Sequence, residues 1–378
     1  MTESEVEENM RGLSVVFVMC LGFCLVWPAP LKAQESKAGK ETVVGTLIYS
    51  PDGGSGLNGI AHVSQHQEIV DEKNYELSTS IRVPSINGGD RLDREITEKS
   101  QQISKNQIKV ERTVRSQDSN GRFSTLEAST EERELKGSTE EIQRSFFRPD
   151  INGKMIAQSV ERETIETVSK KQKQKTRALY RPDIEGKLSL SELEEGTETK
   201  INDTTVVMES SVKAQDPNGK LSVIGSRRET TTKLGDSSFR KEDLVSRVDE
   251  AGVLSLAEKA IETQTVKPDG TTSYQKLVHS RNLTPQIRNL NSSGLILTQR
   301  VTGEERKLSD GTIESTTKVE TLDPLDQSRG LRLSEIVTET SRPESNGKIA
   351  VERIVKTRDV NGNYVVSQRI SQIVEPRK

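Results

Sequence analysis

A short turn sequence that recurs at a fixed distance constrains this chain more than any other feature. It is clearest at residues 146–155, Phe-Phe-Arg-Pro-Asp-Ile-Asn-Gly-Lys-Met, and again at residues 179–188, Leu-Tyr-Arg-Pro-Asp-Ile-Glu-Gly-Lys-Leu. Looser copies occupy residues 118–122, 216–220, 249–253 and 359–363. A fixed period of this length is typical of repeat architectures, in which each unit is stabilised mainly by its neighbours.

The 33-residue period contains a second set of turn-forming residues. Gly137, Gly235 and Gly270 lie about halfway between the Asp-x-Asn-Gly turns, so turn formers recur at half of the full period. This spacing resumes after a disturbed stretch near Pro285 and continues to Gly362. Each repeat therefore divides into two half-units of about 16 residues, which is long enough for one strand and one turn.

The side chains around each turn indicate which secondary structure the half-units form. Counting from the glycine, positions +2, +4 and −7 are mostly apolar, and the residues between +2 and +4 are mostly polar. The +2 set is Phe123, Met155, Leu188, Leu221, Leu254 and Ile349. The −7 set is Val114, Phe146, Leu179, Val212 and Val245. Apolar residues at every second position predict strands, and Asn-Gly predicts hairpin turns. A loop of two or of four residues would place position −7 on the face of position +4.

The remaining strand positions are rich in Thr, Val, Ile and Ser, which favours a sheet over a helix. The segment Ser159–Thr176 is the exception, because it is rich in Glu, Lys, Gln and Arg and has a helical alternative. The sequence predicts an all-β fold: a long antiparallel up-and-down meander of about twenty strands, built from the 33-residue, two-strand repeat. The predicted sheet is open or curved.

The composition is too polar for a thick globular core. Apolar residues make up 31% of the chain, aromatic residues 3% and charged residues 30%. Such a chain is either disordered or an extended repeat structure with a thin apolar strip, and the period favours the repeat structure. A transmembrane β-barrel is a further alternative. It would need a lipid-facing apolar row and two aromatic girdles, which five Tyr and one Trp do not supply.

The N-terminal region predicts export. Residues 13–27 are strongly apolar and are followed by Leu31-Lys-Ala33-Gln34, which is the layout of a signal peptide over residues 1–33. Residues 1–9 are acidic, so Met10 is an alternative start, and a retained anchor is an alternative to cleavage. Residues 34–60 are predicted to be a Gly-rich flexible lead-in with one short strand, and residues 61–378 the β-hairpin repeat domain. Both cysteines, Cys20 and Cys24, fall in the signal peptide.

Candidate sites are few, and each has a simpler structural interpretation. Asp-x-Asn-Gly supplies too few oxygen ligands for a calcium loop, so we expect its Asp to bond the local backbone. His62, His66 and Glu68 would share one strand face, but no further ligand is evident, and His279 is expected to be an ordinary sheet residue. The sequence predicts no catalytic residues, no metal and no cofactor.

The balance of basic and acidic residues indicates which classes of partner the chain can bind. The chain has 55 basic and 58 acidic residues, interspersed along its length, so no basic excess is available to neutralise phosphates and nucleic acid is not expected. We expect an exported, secreted or periplasmic, non-enzymatic repeat protein that acts as a structural or interaction scaffold in the cell envelope. Its partners would be other envelope proteins, and the mature chain would have no membrane span. The alternative is a protein that binds or transfers a lipid or another apolar ligand on the +2 strip, and an enzyme is a third hypothesis.

Overall fold

In the computed structural model of this chain, the described residues form twenty strands in one antiparallel sheet. The structure describes residues 42–51, 57–69, 73–85, 88–118, 121–183, 185–216, 219–249, 252–281, 294–323, 330–344, 347–359 and 361–374. The predicted signal peptide, residues 1–33, lies outside these ranges. The described residues contain no helix, and so no helix of the length and apolarity that crossing a membrane requires.

The strands follow one another along the chain at the predicted half-period. The first ten are β1 (Thr42–Pro51), β2 (Leu57–Ile69), β3 (Tyr75–Pro84), β4 (Asp90–Ser104), β5 (Gln107–Gln117), β6 (Phe123–Lys136), β7 (Thr139–Pro149), β8 (Met155–Ser169), β9 (Gln172–Pro182) and β10 (Leu188–Lys200). The second ten are β11 (Thr205–Gln215), β12 (Leu221–Lys233), β13 (Phe239–Val248), β14 (Leu254–Val266), β15 (Thr272–Arg281), β16 (Leu295–Lys307), β17 (Ile313–Leu322), β18 (Leu331–Pro343), β19 (Ile349–Arg358) and β20 (Tyr364–Val374).

The predicted all-β up-and-down meander is confirmed. Each strand pairs antiparallel with the next, from β1–β2 to β19–β20. The segment with the helical alternative, Ser159–Thr176, forms most of β8 and the start of β9. Regular pairing also begins earlier than residue 61: β1 and the first residues of β2 lie within the predicted lead-in. Residues 42–49 are rich in Val, Leu, Ile and Tyr, which fits the short strand predicted there, and Gly53, Gly54 and Gly56 lie in the sequence between β1 and β2.

The two ends of the meander also meet. β1 pairs antiparallel with β20 over five residue pairs, from Gly45 opposite Ile373 to Tyr49 opposite Arg369. Each strand therefore has a paired neighbour on both sides. We call this β1–β20 pairing the seam. Contacts among the described strands run almost entirely between neighbours in the sheet, so the sheet is a single layer whose stability is a sum over adjacent pairs.

The turns that carry the repeat are three-residue loops, which is neither of the two loop lengths considered from the sequence. At Asp150 the backbone N–H donates to the carbonyl of Lys154 at 2.8 Å, and the N–H of Gly153 donates to the carbonyl of Asp150 at 3.0 Å. Gly153 has φ 79°, a left-handed conformation that glycine adopts without strain. The same pair of hydrogen bonds recurs at Asp118, Asp183, Asp216, Asp249 and Asp359.

A register shift follows each of these loops and decides which face the apolar residues occupy. Phe146 lies opposite Ser159, but Phe147 lies opposite Ala157, so Gln158 is an extra residue in β8. Equivalent shifts occur at Val114, Leu179, Val212, Val245 and Val355, each at position −7 from a turn glycine. Such β-bulges exchange the faces of the residues beyond them. Position −7 therefore lies on the face opposite positions +2 and +4, which corrects the shared face expected from the sequence.

Burial is concentrated on the face that carries position −7. Residues directly opposite one another in antiparallel strands point to the same face, and the register then places all eight buried apolar residues of the described ranges on one face. They are Leu77, Ile96, Val114, Ile142, Val301, Val319, Val337 and Val355. We call this the buried face, and the other the exposed face.

Candidate functional site

A cluster of ion pairs lies on the buried face of four neighbouring strands. We call it the charge ladder: Glu131 of β6, Arg144 of β7, Glu161 and Glu163 of β8, and Lys175 and Arg177 of β9. Cross-strand pairing places these residues together, because Glu131 lies opposite Arg144, Arg144 opposite Glu161, and Glu163 opposite Arg177. The members come from four separate half-units of the sequence, and only the antiparallel register brings them into contact.

Arg144 is the centre of the charge ladder. Its Nε donates to Glu131 Oε2 at 2.6 Å, and its Nη1 donates to Glu161 Oε1 at 2.6 Å and to Glu163 Oε2 at 2.8 Å. Burial alone would lower the pKa of Arg144, but its hydrogen bonds to the three carboxylates raise it above the ordinary value. The guanidinium is therefore held charged among three acids, as its fixed fork of donors allows.

The two glutamates that β8 contributes to the charge ladder, Glu161 and Glu163, are nearly enclosed. The side chain of Glu163 is 7% exposed and receives a hydrogen bond from Arg144, while Lys175 Nζ lies 2.7 Å from its Oε1. Arg177 Nη2 donates to Glu161 Oε2 at 2.6 Å. Burial raises the pKa of each carboxyl, but hydrogen bonds from the cations outweigh it, and both pKa values lie below the ordinary 4.5. Both groups are therefore ionised and paired at neutral pH.

A second, smaller cluster continues on the buried face of β12 and β13. Arg227 makes a bidentate contact with Asp243, at 2.8 Å for each of the two hydrogen bonds, and a third contact with Glu229 at 3.0 Å. Lys241 lies 2.9 Å from Glu229. Each cation again faces carboxylates on the neighbouring strand, so the charges of this region are matched within the sheet.

Between β16 and β19 the buried face changes from charged to apolar. Val301 lies opposite Val319, and Val337 lies opposite Val355. These four valines are evenly spaced in the sequence and are among the least exposed side chains of the described ranges, at 3–8%. On the same face, burial raises the pKa of Glu335 and of Glu339, and the nearby Arg353 only partly offsets it. Glu335 and Glu339 are therefore penalised in their ionised form, whereas Glu161 and Glu163 of the charge ladder are stabilised in theirs.

The residues considered as sites from the sequence are placed as structural elements. Asp150 Oδ1 accepts hydrogen bonds from the backbone N–H of Asn152 at 2.8 Å and of Lys154 at 2.9 Å, which confirms that the turn aspartate bonds the local backbone. His62 and His66 do share one face of β2, but four residues along a strand span about 13 Å, too far for one metal ion. No group of three or more His, Cys, Asp or Glu within the described ranges is arranged to hold a metal.

The structure separates the apolar strip expected from position +2. Phe123, Met155, Leu188, Leu221 and Leu254 begin five successive even-numbered strands at one end of the sheet, on the exposed face. Ile349 instead begins the odd-numbered β19, at the other end and on the buried face. Gly347 lies between β18 and β19 and so belongs to the second set of turns; the longer sequence interval from Arg281 to Leu295 offsets the numbering of the later turns.

The charge ladder was not found from the sequence. In a chain with 58 acidic residues, adjacent glutamates carry no local signal. The informative pattern would have been acids and bases that alternate between successive half-units at a constant distance from their turns.

Comparison with known proteins yields no family. No family model matches, and no curated protein matches. Among solved structures, the chain is similar to OmpF of Salmonella typhi in complex with daunomycin, at 8% identity, TM-score 0.40, and coverage of 89% of this chain and 96% of that chain. It is also similar to the siderophore receptor PirA of Pseudomonas aeruginosa, at 9% identity, TM-score 0.43, and coverage of 90% and 81%. A third is OccK8 (OprE) of the same organism, at 9% identity, TM-score 0.44, and coverage of 88% and 96%. These values assign the chain to no family.

Proposed function

We propose that this protein is an exported, non-enzymatic scaffold of the cell envelope, secreted or periplasmic. The observation that carries the proposal is that the ionic groups of the buried face engage one another across strands, as Arg144 does with three carboxylates. Groups neutralised in this way stabilise a long repetitive sheet and present little free chemistry to a substrate.

Acid–base catalysis needs a group whose pKa lies near the working pH. Within the charge ladder, which is the densest group of charges on the buried face, Glu161 and Glu163 have pKa values moved away from neutrality by their cations. Hydrolytic and phosphoryl-transfer motifs are absent from the sequence. A scaffold role agrees better with these features than an enzymatic role does.

Export rests on the apolar residues 13–27 and on Leu31-Lys-Ala33 before Gln34. The test is fractionation of the source cells, followed by N-terminal sequencing of the recovered protein. We expect the protein outside the cytoplasm, with its N-terminus near Gln34. Recovery from the cytoplasm with an intact N-terminus would contradict export and the envelope role together.

A second candidate, binding of a lipid or another apolar ligand, is favoured by one observation. The five apolar residues of the exposed face remain partly uncovered, with Leu188 at 38% and Leu254 at 44% exposed. The test is organic extraction of the purified protein and mass spectrometry of the extract, with a Leu188→Ser, Leu254→Ser variant as control. If the parent protein carries stoichiometric lipid and the variant does not, the ligand-binding proposal replaces the scaffold proposal. An extract without bound lipid supports the scaffold proposal.

A further inference from the structure

The seam is the shortest junction in the sheet. β1 and β20 are paired over five residue pairs, whereas each of the other nineteen junctions has eight to eleven. Pro51 ends β1 on one side of the seam, and proline has no backbone N–H to extend a ladder. Among the described strands, the seam is thus the junction with the fewest paired residues.

Opening the seam would disturb little else. Contacts among the described strands run almost entirely between neighbours in the sheet, so no second layer is broken when β1 and β20 separate. In an array of this kind the remaining nineteen junctions keep their own stability. Separation would expose two strand edges, one at each end of the meander, and unpaired edges are templates for another strand.

The two exposed edges are complementary to each other. β20 pairs with β1 antiparallel, with Ile370 opposite Ile48. The same register can form between β20 of one copy and β1 of a second copy, because no other part of the chain is required for it. Exchange of an identical contact between copies is a low-cost route to association, and a head-to-tail contact can extend into rings or filaments.

We propose that the seam is an exchangeable junction through which a second copy of this chain adds head to tail, strand β20 of one copy pairing with strand β1 of the next. Protein concentration sets the balance, because the pairing within one chain competes with the same pairing between chains. This self-association is independent of the proposed envelope role, and neither result decides the other.

The test uses the full-length chain with Cys20→Ser and Cys24→Ser, so that introduced cysteines are the only thiols. Ile48→Cys and Ile370→Cys place a cysteine pair across the seam, and opposed residues of antiparallel strands lie within disulfide range. Thr199→Cys and Val207→Cys place a control pair across the β10–β11 junction. Each variant is oxidised in dilute and in concentrated solution and analysed by non-reducing electrophoresis and light scattering.

We expect the seam pair to form an intramolecular disulfide in dilute solution and a series of disulfide-linked dimers, trimers and larger multimers in concentrated solution. The control pair should give an intramolecular disulfide in both. Chains locked across the seam in dilute solution should lose concentration-dependent association, which the parent protein retains. An intramolecular disulfide at every concentration, or association that persists after the seam is locked, would overturn the proposal.

Discussion

A carboxylate on the buried face is stabilised or penalised according to the cation that faces it. Glu163 is 7% exposed and forms ion pairs with Arg144 and Lys175, so its pKa is lowered. Glu339 lies on the same face of β18, opposite Arg353, but burial exceeds the effect of that arginine and its pKa is raised. An ionised glutamate therefore stabilises the fold at position 163 and destabilises it at position 339 of the same sheet.

This contrast predicts opposite effects of the same substitution at neutral pH. Glu163→Gln should lower the free energy of unfolding by about 1–3 kcal/mol, because hydrogen bonds to charged partners are lost. Glu339→Gln should raise it, because a penalised charge is removed. Denaturant unfolding of both variants is the measurement. Equal effects of the two substitutions would contradict the difference in environment.

The pH dependence of the two variants follows from linkage. The folded pKa of Glu163 is lowered, so its contribution is present above the ordinary value of 4.5 and is lost as pH falls through the folded pKa. The folded pKa of Glu339 is raised, so its penalty is present above that folded pKa and is relieved as pH falls through it. The destabilisation in Glu163→Gln and the stabilisation in Glu339→Gln should both diminish in acid, which unfolding curves across pH 3–7 would measure.

The turn aspartate is a further residue with a defined local role. Asp150→Ala should lower the free energy of unfolding by about 1 kcal/mol, because two backbone N–H groups lose their side-chain acceptor. Asp150→Asn keeps an acceptor oxygen and is the matched control. Thermal unfolding compares the two, and an equal loss in Asp150→Asn would mean that the carboxylate charge, not the hydrogen bonds, is what matters.

At the scale of the element, the unit is a hairpin with a three-residue loop and a bulge. The sequence is sufficient to place its turns and strands, because Gly, Asn and Asp mark each reversal and alternation marks each strand. It does not reveal the bulge, which depends on how Phe146 and Phe147 meet β8 across the junction. Alternation alone therefore assigns the apolar side chains at position +2 to the buried side, although Met155 lies on the exposed face. The charge ladder was missed for a related reason, because its partners are defined only by the register.

One whole repeat of two strands should be removable without loss of the fold. Deletion of Lys220–Gly252 removes β12 and β13 and joins Gly219 to Val253, so the next strand begins with Leu254 where Leu221 stood. Because stability is a sum over neighbours, we expect a folded, strand-rich protein with a modestly lower unfolding midpoint. Far-ultraviolet circular dichroism and thermal unfolding measure this.

A half-unit deletion is the control. Removal of Lys220–Gly235 takes out β12 alone and reverses the direction of every later strand relative to β1. The seam, which is antiparallel, can then no longer form in its present register. We expect this variant to be less stable than the full-unit deletion, and equal stability would show that strand parity does not matter.

For the whole molecule, the protection of backbone amides from hydrogen exchange should vary from strand to strand with the strength of the pairing. Amide hydrogen exchange should be slowest in β7–β9, which carry most of the charge ladder, and in β16–β19, which carry the paired valines. It should be fastest in β1 and β20, where the seam is short. Exchange measured by mass spectrometry on peptides from these strands tests the order. Protection of β1 and β20 equal to that of β8 would contradict the view of the seam as the weakest junction.

The neighbour-only pairing also determines the order in which the chain can acquire structure. Nineteen of the junctions join strands that are consecutive along the chain, so each new hairpin can form on the strand before it while later residues are still being synthesised or translocated. Only the seam joins the first strand to the last. A chain that emerges N-terminus first can therefore pair its strands one after another. The free edge of β1 stays unpaired until β20 has been made, because β20 is the strand that pairs with it.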